Sequence, residues 1–215
     1  MNDPPSASSS ARERLLQVGA RQAELGGLRS ITVRGVCEQA GANPGSFVYH
    51  FGSRDAFVTE IIESRYAPMF ERLAASVDAS QRPIERLRAL LLQVSDWGAR
   101  NSRFIAHLLA DADAGESAAR AFVRTLGGRH PALILQVIRD AQRVHELPRG
   151  NPLNLMLYLG GAVALPMLLA ARLDSTQAVP PEFMQKIGDL AGERRYRAQR
   201  LDWALRGLAM EAGHA

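Results

Sequence analysis

TVRGVCEQAGANPGSFVYHF, residues 32–51, decides the fold. Thr32 is a good helix cap, and Val33 to about Gln39 follows as a short helix. Ala40-Gly41-Ala42 interrupts it. Asn43 is a second cap, Pro44 suits a first helical position, and a third helix runs through His50 until Phe51-Gly52 ends it. Two short helices joined this tightly need a small residue where they cross, which Cys37 supplies. They also need a turn residue tolerant of positive φ, which Gly41 supplies four positions later. The second of the two starts with a polar, nearly bare face: Asn43, Pro44, Gly45 and Ser46, then Tyr49 and His50. A short helix with small residues at its start can sink into a DNA major groove until its first turn meets base edges.

The flanks agree with a helical chain. Upstream, Ala11 to Leu25 reads as a helix with Leu16, Ala20 and Ala23 on one face, stopped by Gly26-Gly27. Downstream, Ser53 caps a long helix from Arg54 to about Val77, with Val58, Ile62, Tyr66, Met69, Leu73 and Val77 at steps of three and four and a kink expected at Pro68. Further helices are expected from Arg82-Pro83 to Arg100, Ser102 to Asp113, Glu116 to Leu126, Pro131 to Leu147 and Pro152 to Leu173. A Pro180-Pro181 break precedes one long last helix to Met210. With no convincing strand, the fold class is all-α.

Composition sets bounds. The chain has 215 residues, 47% of them hydrophobic, with a net charge of +4. That excess is too small to argue for nucleic acid by itself. Cys37 is the one cysteine, so no intrachain disulfide forms and a reducing, cytoplasmic compartment fits. Residues 1–10 are rich in Pro and Ser, read as a disordered terminus and not as a signal peptide. Leu153 to Ala171 carries 19 residues without a charge, the lower limit of a membrane span. Asn154, Gly160-Gly161 and Pro166 argue for a helix buried in a bundle or a subunit interface instead, so no membrane partner is expected.

The longer string, from Leu15-Leu16 to Gly27, then Thr32-Val33-Arg34, Val36 to Gly41, Pro44 to Phe51 and Ser53-Arg54-Asp55-Ala56-Phe57, resembles the DNA-binding domain of the tetracycline-repressor (TetR) family. The resemblance covers residues 10–70. It implies three parts: the disordered residues 1–10, a three-helix helix-turn-helix domain over 11–70, and a helical effector-binding and dimerisation domain over 71–212. By position, Thr32 and Arg34 would hold phosphates. Asn43, Pro44, Gly45 and Ser46 would face base edges, and Tyr49 and His50 would touch backbone or bases. Arg54, where the family usually has Lys, would meet a phosphate. Phe47 and Phe51 look like core. Val48 stands where the family usually has a phosphate-contacting Tyr, Ala23 replaces a bulky aromatic, and Ile31 replaces a Thr.

The implied protein is a homodimeric transcriptional regulator, a repressor released from palindromic double-stranded operator DNA by a small hydrophobic effector. No catalytic residue, cofactor or metal is expected. Trp97, Phe104, His107, Met156 and Met167 are the candidates to line the effector cavity. Cys37 reads as inert packing. His107, His130, His145 and His214 lack paired metal-ligand spacing. Asp111-Ala-Asp113-Ala-Gly115-Glu116 begins like a calcium loop but has Phe122 at its twelfth position, where Glu is needed. Arg194, Arg195, Arg197 and Arg200 read as a solvated face of the last helix. The other classes considered are a helical enzyme built on residues 84–175, which lacks any acid-base cluster, and a ligand-free architectural DNA-binding protein.

Overall fold

Side-chain caps start the amino-terminal helices. In the computed structural model, which describes residues 10–76, 78, 80–176 and 179–212, the Ser10 hydroxyl accepts the Glu13 amide at 3.2 Å and the Glu13 carboxylate accepts the Ser10 amide at 2.9 Å. This reciprocal box opens α1, Ala11–Gly26. The remainder of the expected disordered terminus, with Val77 and His214, lies outside the described residues. A single 3-10 turn, Leu28–Ser30, follows. Thr32 caps α2, Val33–Ala40, by accepting the Gly35 amide at 3.1 Å. Asn43 caps α3, Pro44–Phe51, by accepting the Ser46 amide at 2.7 Å. Ser53 accepts the Ala56 amide at 3.1 Å at the start of α4, Arg54–Ala75.

The other helices are α5, Pro83–Arg100; α6, Ser102–Asp113; α7, Ser117–Leu126; α8, His130–Arg143; α9, Pro152–Thr176; α10, Pro181–Gly192; and α11, Arg194–Ala212. No strand occurs among the described residues, so the fold is all-α.

Packing divides the chain into two units. One comprises the residues up to Ala67 together with His107–Thr125; the other comprises Pro68–Ala106 and the residues from Leu126 onward. The first has an aromatic nucleus. Phe47 and Phe51 of α3 and Phe57 of α4 stack with centroids 4.7–5.3 Å apart, over a floor of Leu15, Leu28, Ile31, Val36, Ile61 and Ile62. Phe47 and Phe51 are thus the pins expected of them, and α1, α2 and α3 all touch one another. Tyr66 packs edge-on against Phe122 of α7 at 5.0 Å.

In the second unit α5 packs on α8, and α9 touches α5, α8, α10 and α11. Leu155, Leu159, Val163, Met167 and Ala170 form the buried stripe of α9. Arg86 of α5 meets Asp140 of α8 at 3.1 Å, and Arg88 grips Asp202 of α11 with two bonds of 2.7 and 3.0 Å.

Three expectations are corrected here. The long last helix is two helices, because Glu193 takes an extended conformation (φ −68°, ψ 134°). Nor is the arginine run only a solvated face. Arg197 is 3% exposed and bonds the Asp96 carboxylate and the Gly192 carbonyl. Arg200 donates to the Ala162 carbonyl at 2.9 Å and the Leu190 carbonyl at 2.7 Å, and Arg194 meets Asp96 at 3.0 Å. A helix break leaves carbonyls without helical partners, and Arg197 and Arg200 satisfy those of Gly192 and Leu190. α8 also ends early: His145 adopts φ 59°, which an α-helix cannot continue through.

Candidate nucleic-acid interface

A single surface gathers most of the residues singled out in the sequence. Thr32, Arg34, Asn43, Pro44, Gly45 and Tyr49 are exposed, and Ser46 and His50 are half-buried. The geometry follows from the two short helices. Val36, Cys37 and Ala40 face inward from α2, and Phe47 and Phe51 from α3, so the polar remainder must face out. Gly41 makes the connection at φ 59°, a left-handed conformation that costs an L side chain about 1–2 kcal/mol. Pro44 and Gly45 put almost no side chain on the first turn of α3, which leaves its backbone open to a close approach.

The electrostatics suit a polyanion. Both helix starts carry unpaired backbone dipoles, and each cap side chain satisfies only one of the free amides. The Arg34 side chain is 89% exposed and touches Glu38 at 2.8 Å, a weak surface pair that a phosphate can displace. Tyr49, 84% exposed, stands with its ring 5.1 Å from that of His50. Val48 is also exposed, at 57%, so the position of the family's usual Tyr faces outward with an apolar residue on it. Cys37 is buried, and burial raises its thiol pKa, which disfavours the reactive thiolate.

Two of the expected contact residues have a second role. Asn43 already uses its side-chain oxygen as the α3 cap, leaving its amide NH2 for a base. Arg54 is turned inward. Its Nε donates to the Ile31 carbonyl and its Nη2 to the Leu28 carbonyl, both at 2.8 Å. The Nη atoms also reach the two oxygens of Glu116 at 3.0 and 3.1 Å. Those hydrogen bonds, and the Glu116 charge, raise the Arg54 pKa against an opposing loss of solvation.

The second unit holds a cavity of about 340 Å³, lined by Ala99, Ser102, Arg103, Met167, Ala170, Asp174, Met184 and Gly188, among others. Arg103 and Asp174 pair at 3.0 Å on its lining. Of the five expected lining residues only Met167 belongs to it. Phe104 is core, at 2% exposure, and Trp97 and Met156 are half-buried elsewhere. His107 belongs to the first unit, where its Nδ1 lies 3.3 Å from where a Cβ on Gly27 would stand. The small residues on α10 gave no sequence signal, because Gly and Ala mark a helix contact as readily as a void.

Comparison with known proteins agrees with this geometry. Residues 15–61 match the sequence model of bacterial regulatory proteins of the tetR family. An HTH-type transcriptional repressor, KstR2, from Mycolicibacterium smegmatis is 33% identical over 90 residues, which is 42% of this chain and 44% of that repressor. The aligned part therefore spans less than half the length of that relative. Over nearly the whole chain the likeness is one of fold. A bacterial regulatory protein in the tetR family from Rhodococcus RHA1 superposes with a TM-score of 0.63 at 14% identity, covering 94% of this chain and 98% of the other. The TetR family transcriptional regulator PfmR from Thermus thermophilus gives 0.62 at 19% identity, with coverage of 91% and 98%.

Proposed function

We propose that the chain is a regulator of the tetR type, a sequence-specific operator-binding repressor that acts as a homodimer and is released by a small molecule. The observation that carries this reading is the outward face of α2 and α3. Thr32, Arg34, Asn43, Pro44, Gly45, Ser46, Tyr49 and His50 share it, with Phe47 and Phe51 anchoring it from beneath. Arg34 and the helix starts serve phosphates, while the first turn of α3 reads base edges.

One short helix makes too few contacts for tight specific binding, so two half-sites are read by a two-fold dimer. α9 supports that assembly. Opposite its buried stripe it exposes Leu153, Leu157, Tyr158, Leu165 and Leu169, and Trp203 of α11 is 56% exposed. α9 is long and apolar enough to cross a membrane by length and composition alone. A helix with one stripe packed inside the chain and an apolar stripe on the opposite side is better suited to a second copy of the same helix. The protein then works in the cytoplasm, without catalysis.

The effector is a compact molecule with both apolar and polar parts, held in the cavity of the second unit, where Met167, Met184 and alanines supply apolar surface and Ser102, Arg103 and Asp174 offer polar contacts. Its binding shifts the equilibrium between conformations with different recognition-helix spacing, with α4 as the lever. Selection of bound fragments from a random DNA pool tests the reading. A palindrome with a fixed half-site spacing is the expected outcome; recovery of no consensus would sink it.

A further inference from the structure

The connection between α1 and α2 is gripped from two sides. Asp111, in the last turn of α6, accepts the Leu28 amide at 2.6 Å. Glu116, only 8% exposed and just ahead of α7, holds both Nη atoms of Arg54. Arg54 returns to the same connection by donating to the carbonyls of Leu28 and Ile31. Leu28 is thus tied through its N–H by one carboxylate and through its C=O, by way of Arg54, to the other. A third bond, from the Ser117 hydroxyl to Asp55 at 2.6 Å, joins the start of α7 to the start of α4. Gly27 makes the close approach possible. It sits at φ 80°, and a Cβ there would stand 2.7 Å from the Asp111 carboxylate.

Charge-assisted bonds are about twice as strong as neutral ones, and a guanidinium fork matches a carboxylate edge in a way an ammonium cannot. Arg54 uses Nε, Nη1 and Nη2 inside its own unit. A phosphate would have to compete with a buried carboxylate and two backbone carbonyls for the same donors. The segment that supplies the carboxylates, Asp111 to Glu116, is the one that fails as a calcium loop in the sequence.

We propose that Asp111 and Glu116, with Arg54 as the pin, form a clasp that holds the α1–α2 connection, and with it the α2–α3 pair, in its binding-competent arrangement, and that Arg54 does not contact phosphate. The inference rests on α2 and α3 being the operator-binding pair. A loosened clasp leaves the bound-state phosphate contacts as they are and lowers the fraction of protein in the binding-competent arrangement, which reduces affinity without altering salt dependence.

The test uses full-length protein and the operator that wild type selects from a random pool. Affinity is measured across salt for wild type, Arg54→Lys, Arg54→Ala, Glu116→Gln and the Arg54→Lys/Glu116→Gln double variant. The clasp predicts that Arg54→Lys and Glu116→Gln each weaken the selected operator about ten-fold. Each should leave the salt slope unchanged, and the double variant should bind no worse than the weaker single one. A phosphate role predicts that Arg54→Lys binds like wild type, Arg54→Ala lowers the slope by about one contact, and Glu116→Gln has no effect; that pattern would overturn the clasp. Variants that lose affinity only in proportion to a lost folded fraction, measured by circular dichroism on the same samples, would mark simple destabilisation and overturn the clasp. A separate readout needs no DNA. In Asp111→Asn the Leu28 amide proton resonance should move upfield and exchange faster, and an unchanged amide would remove the clasp itself. A wild type that selects no sequence would instead bring down the operator reading, so the two failures are read from different measurements.

Discussion

Arg34 in α2 and Arg197 in α11 both look like surface arginines in the sequence, yet one side chain is 89% exposed and the other 4%. The difference lies in what specifies each region. Around α2 and α3 the signals are local: a cap, a Pro at the first helical position, a Gly at a positive-φ turn and apolar residues at helical spacing. Each acts within about four residues, so reading them in order gives the elements. Around α10 and α11 the deciding fact is a partner far away in sequence. Asp96 of α5 takes both Arg194 and Arg197, and the carbonyls exposed by the break at Glu193 take the rest. No window of sequence shows that a charged side chain will be buried by a carboxylate about a hundred positions away.

The largest effect should come from α9, where the apolar stripe is exposed and has no partner among the described residues. Leu157→Arg places a charge in the proposed seam, at a side chain 63% exposed in the single chain. The monomer should keep its helicity, since nothing buried is disturbed. The dimer should be lost in sedimentation, and operator affinity should fall by two orders of magnitude or more, about the gain that linking two sites provides. A variant that stays dimeric and binds normally would move the interface elsewhere. Gly161, where a Cβ would meet no other described part of the chain within 4 Å beyond its own helix backbone, offers a second position: Gly161→Arg should behave the same way.

How much was legible follows the same division. The starts of α1 to α4 agree with the sequence reading to the residue, because caps and glycines encode them directly. The exposed face of α2 and α3 was legible for the same reason, except where a side chain reaches beyond its neighbourhood. Arg54 read as a phosphate ligand because its position suggests one, and only the fold shows Glu116 beneath it. The cavity was barely legible, with Met167 alone in common. A void is made by residues that are too small or too far apart to fill it, and periodicity records only which residues face inward. The apolar run of α9 was expected to be buried in a bundle or a subunit interface; one stripe is buried within the chain and the other is exposed in the single chain. Its two opposite stripes become visible only when burial is known.

A smaller effect should come from breaking the non-local pair itself. Arg197→Met keeps the length of the side chain but removes the charge from a buried pair, which costs about 3–5 kcal/mol when the remaining partner is left uncompensated. Asp96 retains Arg194 at 3.0 Å, so the cost should fall at the low end, about 3 kcal/mol. Urea unfolding would measure it. Residues of the first unit should keep their amide-exchange protection under native conditions, since Arg197 and both its partners belong to the second. An unchanged urea midpoint would mean that the arginine is buried without stabilising anything, and that the break at Glu193 is held by other groups.

The smallest effect should come from Arg34, and its form matters more than its size. Arg34→Ala removes an exposed pair with Glu38 that is worth roughly 0.3–0.5 kcal/mol, so the folded protein should hardly notice. Its effect on DNA should be one phosphate contact, a decrease of about 0.9 in the slope of log affinity against log salt. All sequences should weaken alike, since a phosphate carries no base information. Asn43→Ala provides the contrast on the same face. It removes the α3 cap, about 1 kcal/mol of stability, together with an amide group placed to read a base. It should therefore alter discrimination at particular base pairs with the salt slope unchanged. Gel-shift titrations over salt and over single-base operator variants separate the two. If Arg34→Ala instead changes base preference, α2 reads sequence, and the division of labour between the two short helices has been drawn the wrong way round.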